Sequence, residues 1–193
     1  MTKYATNQIG HRPTTNVFHA VRFANDNGRP LNFMVTINFT DLGLSDYDAG
    51  DFFRDARARI ARWWAYQRSK NRPFGTFDDV AAHAHPPKGR RHVHWLLHVP
   101  DGARYEIEAI IENRIKKMLK LDCLGDAVQI KDVANPGTLA KYILRGTDGQ
   151  YADYFKMNTS DEGIVYGRRV HASRSIGYAG RARAGWKRKR LNH

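Results

Sequence analysis

Residues 76–100 read TFDDVAAHAHPPKGRRHVHWLLHVP, the most densely patterned stretch of the chain. Two apolar segments, 76–85 and 92–100, flank a turn, PPKGRR, that contains Pro and Gly. That pattern predicts a β-hairpin. Residues two apart on a strand share a face, so His92, His94 and His98 point the same way. If the six-residue turn closes the hairpin, His85 lies opposite His92 and His83 opposite His94. Opposed side chains have Cβ atoms ~4.5–5.5 Å apart, so four imidazoles would converge on one patch. A single strand histidine is usually structural. Four together need partners, and neutral imidazole is a common metal ligand. His92, His94 and His85 are the expected ligands, with His83 in reserve and Asp78 or Asp79 as possible oxygen donors. Nitrogen ligation suits Mn, Zn, Co or Ni and matches Mg poorly. His98 shares the face but is expected to be structural, and Trp95, on the other face, to be core.

Outward from the hairpin, LNFMVTINFT (31–40) alternates like a strand, and DLGLSD is a turn. Helix is expected from Asp48 to Ser69, where Phe52, Phe53, Ala56, Ile60, Trp63 and Trp64 recur at helical steps. A second helix follows in DGARYEIEAIIENRIKKMLKL, with Ile107, Ile110, Ile111, Ile115, Met118 and Leu119 as its stripe. DAVQIKDV (126–133) is a further strand. The order β-α-β-β-α-β predicts an α+β fold, ferredoxin-like or RRM-like, with an antiparallel sheet. Both helices would pack on one face and leave the other free for a ligand. Residues 1–30 read as a polar arm with a short strand near NVFHAVRF, residues 31–180 as the folded domain, and residues 181–193 as a basic tail.

An added helix is marked after the last strand. Asn135 can cap it, Pro136 suits its first position, and Gly146 can end it. Leu139, Ala140, Ile143 and Leu144 form its packing face; Lys141, Tyr142 and Arg145 lie away from it. Tyr142 and Arg145 are three apart and neighbours on the helix surface. A guanidinium beside a phenol favours the phenolate, which suits a nucleophile, or it can hold a phosphate. Tyr151 and Tyr154, followed by Lys156, are rival nucleophiles. An ordinary helix-edge tyrosine is the plain alternative.

The chain has 193 residues, 41% of them hydrophobic, a net charge of +13 and a pI near 10.1. That balance points to a polyanionic partner, nucleic acid first. Beyond Gly163 there is no acidic residue. Lys88, Arg90, Arg91, Arg168, Arg169 and Arg174, with the basic residues of the first helix, are the expected backbone contacts. The single cysteine, Cys123, excludes an intrachain disulfide and reads as a small core residue in a reducing compartment. No apolar run has the ~18 residues of a membrane span, so a cytoplasmic protein is expected.

Together these segments resemble the HUH endonucleases, the single-tyrosine rolling-circle replication initiators of phages and plasmids among them. FMVTINFT is similar to that family's first motif strand, HVHWLLHVP to its His-hydrophobe-His strand, AKYILRG to its tyrosine helix, and GRRVHASRSIG to a basic segment of such initiators. The resemblance covers most of the chain. It implies that His92 and His94 bind a divalent metal, Mn or Mg, that His85 takes the third-ligand place, and that Tyr142 attacks the DNA. Arg145 stands where the family usually has Lys, and Lys141 lies beside the nucleophile. The implied activity is nicking and joining of single-stranded DNA, as a hairpin or an origin, through a 5′-phosphotyrosyl intermediate. A host helicase and polymerase would be partners, since the chain has no room for a helicase. The alternatives are a non-catalytic nucleic-acid binder on the same fold, such as a decayed HUH domain, and a hydrolase that activates water.

Overall fold

The computed structural model describes residues 4–187. Its centre is a five-stranded antiparallel sheet of mixed α+β surroundings. In chain order the elements are β1 (Ala5–Thr6), α1 (His11–Asp26), β2 (Phe33–Asn38), α2 (Asp46–Ser69), β3 (Asp79–Ala84), β4 (His92–Leu97) and α3 (Arg104–Leu119). Then come β5 (Val128–Asp132), α4 (Pro136–Ile143), α5 (Ala152–Phe155), β6 (Val165–Tyr166), β7 (Val170–Ala172) and α6 (Tyr178–Arg183). The strands lie in the order β5-β2-β4-β3-β7, and β1 pairs with β6 in a separate ribbon.

Local chemistry accounts for the helix ends. Ser45 begins α2 by accepting the Asp48 N–H at 3.2 Å, with Asp46 and Asp48 in the first turn where the helix dipole favours acids. Asn135 begins α4 by accepting the Thr138 N–H at 3.0 Å, and Pro136 needs no N–H partner at its position. Lys116 and Lys117 fill the last turn of α3, where cations are favoured.

Strand alternation divides the apolar residues between two cores. Phe33, Val35, Ile37, Ala81, Val93, Trp95 and Leu97 face α2 and α3, meeting Phe53, Ile60, Trp64, Ile107, Ile111 and Ile115. Met34, Val80, Ala82 and Leu96 face the other way, against Val17, Ala20, Val21 and Ala24 of α1 and Ala140, Ile143 and Leu144 beside them. The expectation of an open second face is therefore corrected, because α1 and α4 cover much of it. The expected N-terminal strand is corrected too. Residues 11–26 are a helix whose buried positions, Thr14, Val17, Ala20, Val21 and Ala24, recur at three- and four-residue steps.

Other readings change with packing. Cys123 is exposed, because it lies in the connection after α3 rather than under the sheet. The start of the basic tail is docked. Arg181 is buried and donates to the Ile176 carbonyl at 2.7 Å, and the Trp186 indole N–H donates to Asp26 at 3.0 Å. The rest of that tail, 188–193, lies outside the described residues. Among the described residues no helix is long and apolar enough to cross a membrane.

Candidate functional site

The hairpin register decides which histidines can meet. Ala84 pairs with His92, His83 with Val93 and Ala82 with His94. The loop thus runs from 85 to 91, one residue longer than the expected turn, and a one-residue slip moves a strand's side chains to the other face. His83 therefore points into the α2/α3 core, stacked on Phe39 at 5.7 Å and edge-on to Phe53 at 5.1 Å. Its burial, with the charges of Arg169, His92 and His171 adding to it, lowers its pKa to about 3. His85 falls beyond the end of β3 and is not opposite His92; its N–H donates to the Glu162 carbonyl at 2.9 Å. The four-histidine patch is corrected to a pair.

Asp78 and Asp79 leave the candidate ligand set as well. Both are fully buried. Asp79 accepts from Arg57 Nε at 2.5 Å, Arg57 Nη2 at 2.7 Å and the Trp95 indole N–H at 2.8 Å, on the α2 side of the sheet. Asp78 pairs with Arg29 at 3.2 Å. Trp95 is core, as its parity requires. His98 is structural, its Nδ1 donating to the Pro30 carbonyl at 2.9 Å.

His92 and His94 remain together, with Nε2 atoms 3.2 Å apart. A carbonyl can only accept, so the 2.7 Å contact to the Arg90 carbonyl places the His92 proton on Nδ1. Its Nε2 then carries a lone pair aimed at His94. The His94 pKa is lowered to about 3, first by burial and then by the nearby charges of His92, Arg145 and Lys131. A neutral His94 whose Nδ1–H donates to Thr36 Oγ1, at 3.0 Å, turns a second lone pair onto the same point. Two nitrogens ~2.1 Å from one ion can be at most ~4.2 Å apart, and this pair meets that condition. Without an ion, the other His94 tautomer satisfies the pair by donating from Nε2 to His92. The donor set fits a divalent cation that accepts imidazole. Among the described residues no group of three His, Cys, Asp or Glu side chains is placed to hold a metal. Further donors on this face would be neutral: Asn38 lies opposite His92, and Thr36 lies between His94 and Gln129 in register.

Helix α4 brings Tyr142 to this pair. Ala140 and Ile143 are buried against the sheet, while Tyr142 is half exposed with its ring centroid 5.2 Å from that of His94. The Arg145 guanidinium carbon lies 4.8 Å from the centre of the Tyr142 ring. Arg145 Nε also contacts Glu162 Oε1 at 2.5 Å. Glu162 is 4% exposed and accepts the Ser160 hydroxyl at 2.7 Å. Sequence reasoning missed this carboxylate, which holds the guanidinium beside the phenol. Gly163 fixes its place: φ is +60°, and a Cβ there would sit 1.8 Å from the His85 carbonyl oxygen. Lys141 is anchored differently, donating from Nζ to the Lys156 carbonyl at 2.9 Å. Tyr151 and Tyr154 pack around His11, at 5.1 and 4.9 Å between ring centres, rather than at the histidine pair.

The expected backbone contacts divide. Lys88, Arg168 and Arg174 are exposed. Arg169 is buried and donates to the carbonyls of Glu162, Thr6 and Gly163, so its charge is engaged inside the protein. Arg91 pairs with Asp46 and donates to the Leu44 carbonyl, and Arg90 pairs with Asp41 at 2.6 Å. In α2, Arg57 is committed to buried Asp79 and Arg54 to Asp51 at 2.6 Å.

Compared with known proteins, the chain matches no family model, no curated protein and no solved structure.

Proposed function

We propose that the protein nicks and joins single-stranded DNA by a metal-dependent transesterification on Tyr142, as its resemblance to the HUH endonucleases implies. One observation carries the reading: two imidazole Nε2 atoms 3.2 Å apart, with the Tyr142 ring 5.2 Å from the nearer imidazole ring. The strand order supports the same reading. Taking β2, β3, β4 and β5 as four successive strands, the first and third are central neighbours and the second and fourth flank them. This neighbour order supports reading the sheet as ferredoxin-like, extended by β7 and covered on its second face by α1 and α4.

His92 and His94 would hold the divalent ion. Bound there, it would supply Lewis-acid stabilisation of the scissile phosphate. The residues of the chain do the rest. The Tyr142 hydroxyl loses its proton to solvent, and Arg145, held by Glu162 beside the ring, is placed to hold the scissile phosphate. The phenolate oxygen bonds to phosphorus while the bond from phosphorus to the 3′ oxygen breaks. The departing oxygen takes a proton and becomes a 3′-hydroxyl, leaving a 5′-phosphotyrosyl link. Attack by a 3′-hydroxyl reverses the step and rejoins DNA. The net charge of +13 favours approach of a polyanion.

The test is incubation with single-stranded oligonucleotides and Mn, read on a denaturing gel. A protein–DNA band is expected, lost in Tyr142→Phe and reduced at least a hundredfold in His92→Ala and His94→Ala. Binding without cleavage on any substrate would favour the non-catalytic reading. Cleavage that survives Tyr142→Phe would favour activated water or another tyrosine.

A further inference from the structure

Tyr142 also lines a cavity of about 550 Å³ between α4 and the 152–158 segment. Three cations, Lys141, Arg145 and Lys156, share its wall with a single carboxylate, Asp153. Met157, buried, and Asn158 also line it. The Lys141 ammonium, bonded to the Lys156 carbonyl at 2.9 Å, ties the two walls together, so the cleft is preformed. Such a lining suits a nucleotide. The volume lies within the ~300–1,000 Å³ of small-ligand clefts. Cations suit a phosphate, an apolar side chain suits a base face, and Asp and Asn pair with base edges: Asp accepts from the cytosine amine, and Asn pairs with adenine.

We infer that this cavity binds the nucleotide whose 5′ phosphate becomes attached to Tyr142, and that Asp153 and Asn158 set a base preference there. The inference rests on the proposed nicking activity. That nucleotide is tethered to Tyr142 after the first step, and Tyr142 is part of the wall. Holding it keeps the phosphotyrosyl link aligned until a 3′-hydroxyl arrives, which converts the second attack into an oriented one.

The experiment has two arms, both with the full chain. In the first, a random-sequence single-stranded DNA pool is incubated with protein and Mn, and the covalently attached strands are sequenced. The wild type is expected to show a bias of at least fivefold at the first attached nucleotide. Asp153→Ala or Asn158→Ala should reduce it at least threefold, with preferences elsewhere in the strand retained and the circular dichroism spectrum unchanged. No bias at that position, or a bias unmoved by both substitutions, overturns the inference. In the second arm, the four deoxynucleoside 5′-monophosphates are titrated by NMR without metal. Binding in the millimolar range or tighter, weakened at least fivefold by Lys156→Ala or Asn158→Ala, supports the cavity. Absence of binding by all four overturns it. If no adduct forms in the first arm, the nicking reading fails, and the second arm alone judges whether the cavity takes a nucleotide.

Discussion

Replacing His83 by Leu tests the two-faced sheet directly. His83 is buried against Phe39 and Phe53, with a pKa of about 3. In the unfolded chain a histidine has a pKa of about 6.5. Between these values the unfolded state binds the extra proton, so stability rises with pH and is lost as pH falls through 6.5. The slope is ~1.4 kcal/mol per pH unit, or about 2 kcal/mol between about pH 7.5 and about pH 5. His94, also at about 3, and His171, lowered to about 4 chiefly by burial, act in the same direction. The three together give a slope near 4 kcal/mol per unit at about pH 5, and His83→Leu should lower it to about 2.7. Urea unfolding followed by tryptophan fluorescence across this range measures the difference. Leu is apolar and of similar size, so the variant should fold, and its metal affinity should match the wild type because His83 faces away from His92 and His94. An unchanged slope, or a tenfold loss of metal affinity, would refute the register and the separation of the faces.

Glu162→Gln should slow adduct formation about tenfold or more while changing DNA affinity less than threefold, since it loosens Arg145 beside Tyr142 rather than removing a surface cation; single-turnover kinetics separate the two. Asp79→Ala should cost about 3–5 kcal/mol by leaving Arg57 and the Trp95 indole without their acceptor inside the sheet, and denaturant unfolding measures it. Arg168→Ala should flatten the salt dependence of DNA binding by about one counterion, and Arg169→Ala should instead lower the melting temperature.

The hairpin was legible because strand alternation and a Pro-Gly turn are local signals. The parity that joins His92 to His94 and sends Trp95 to the core is local as well. What crosses the hairpin is not local. One extra residue in the 85–91 loop carries His83 to the opposite face, and nothing in the turn composition specifies that count. Helix α1 was hidden because the β-branched and aromatic run NVFHAVRF also suits a strand and polar residues precede it, although Val17, Ala20, Val21 and Ala24 recur at helical steps. Tyr142 and Arg145 were readable as helix neighbours. Glu162 was not, because one of two adjacent loop acids, Asp161 and Glu162, becomes informative only when Gly163 packs on the His85 carbonyl and places the Glu162 carboxylate against Arg145. The arginines divided for the same reason: Arg168 and Arg169 are adjacent in sequence, yet one is exposed and the other buried among carbonyls.

In the proposed function the phenol beside the histidine pair is the group that attacks DNA. The most direct measurement is digestion of the protein after reaction with single-stranded DNA and Mn, followed by mass spectrometry of the modified peptide. A nucleotide phosphate on Tyr142, absent from His92→Ala and His94→Ala, is the predicted result. The phosphate on Tyr151 or Tyr154, or cleaved DNA with no modified tyrosine, would contradict it.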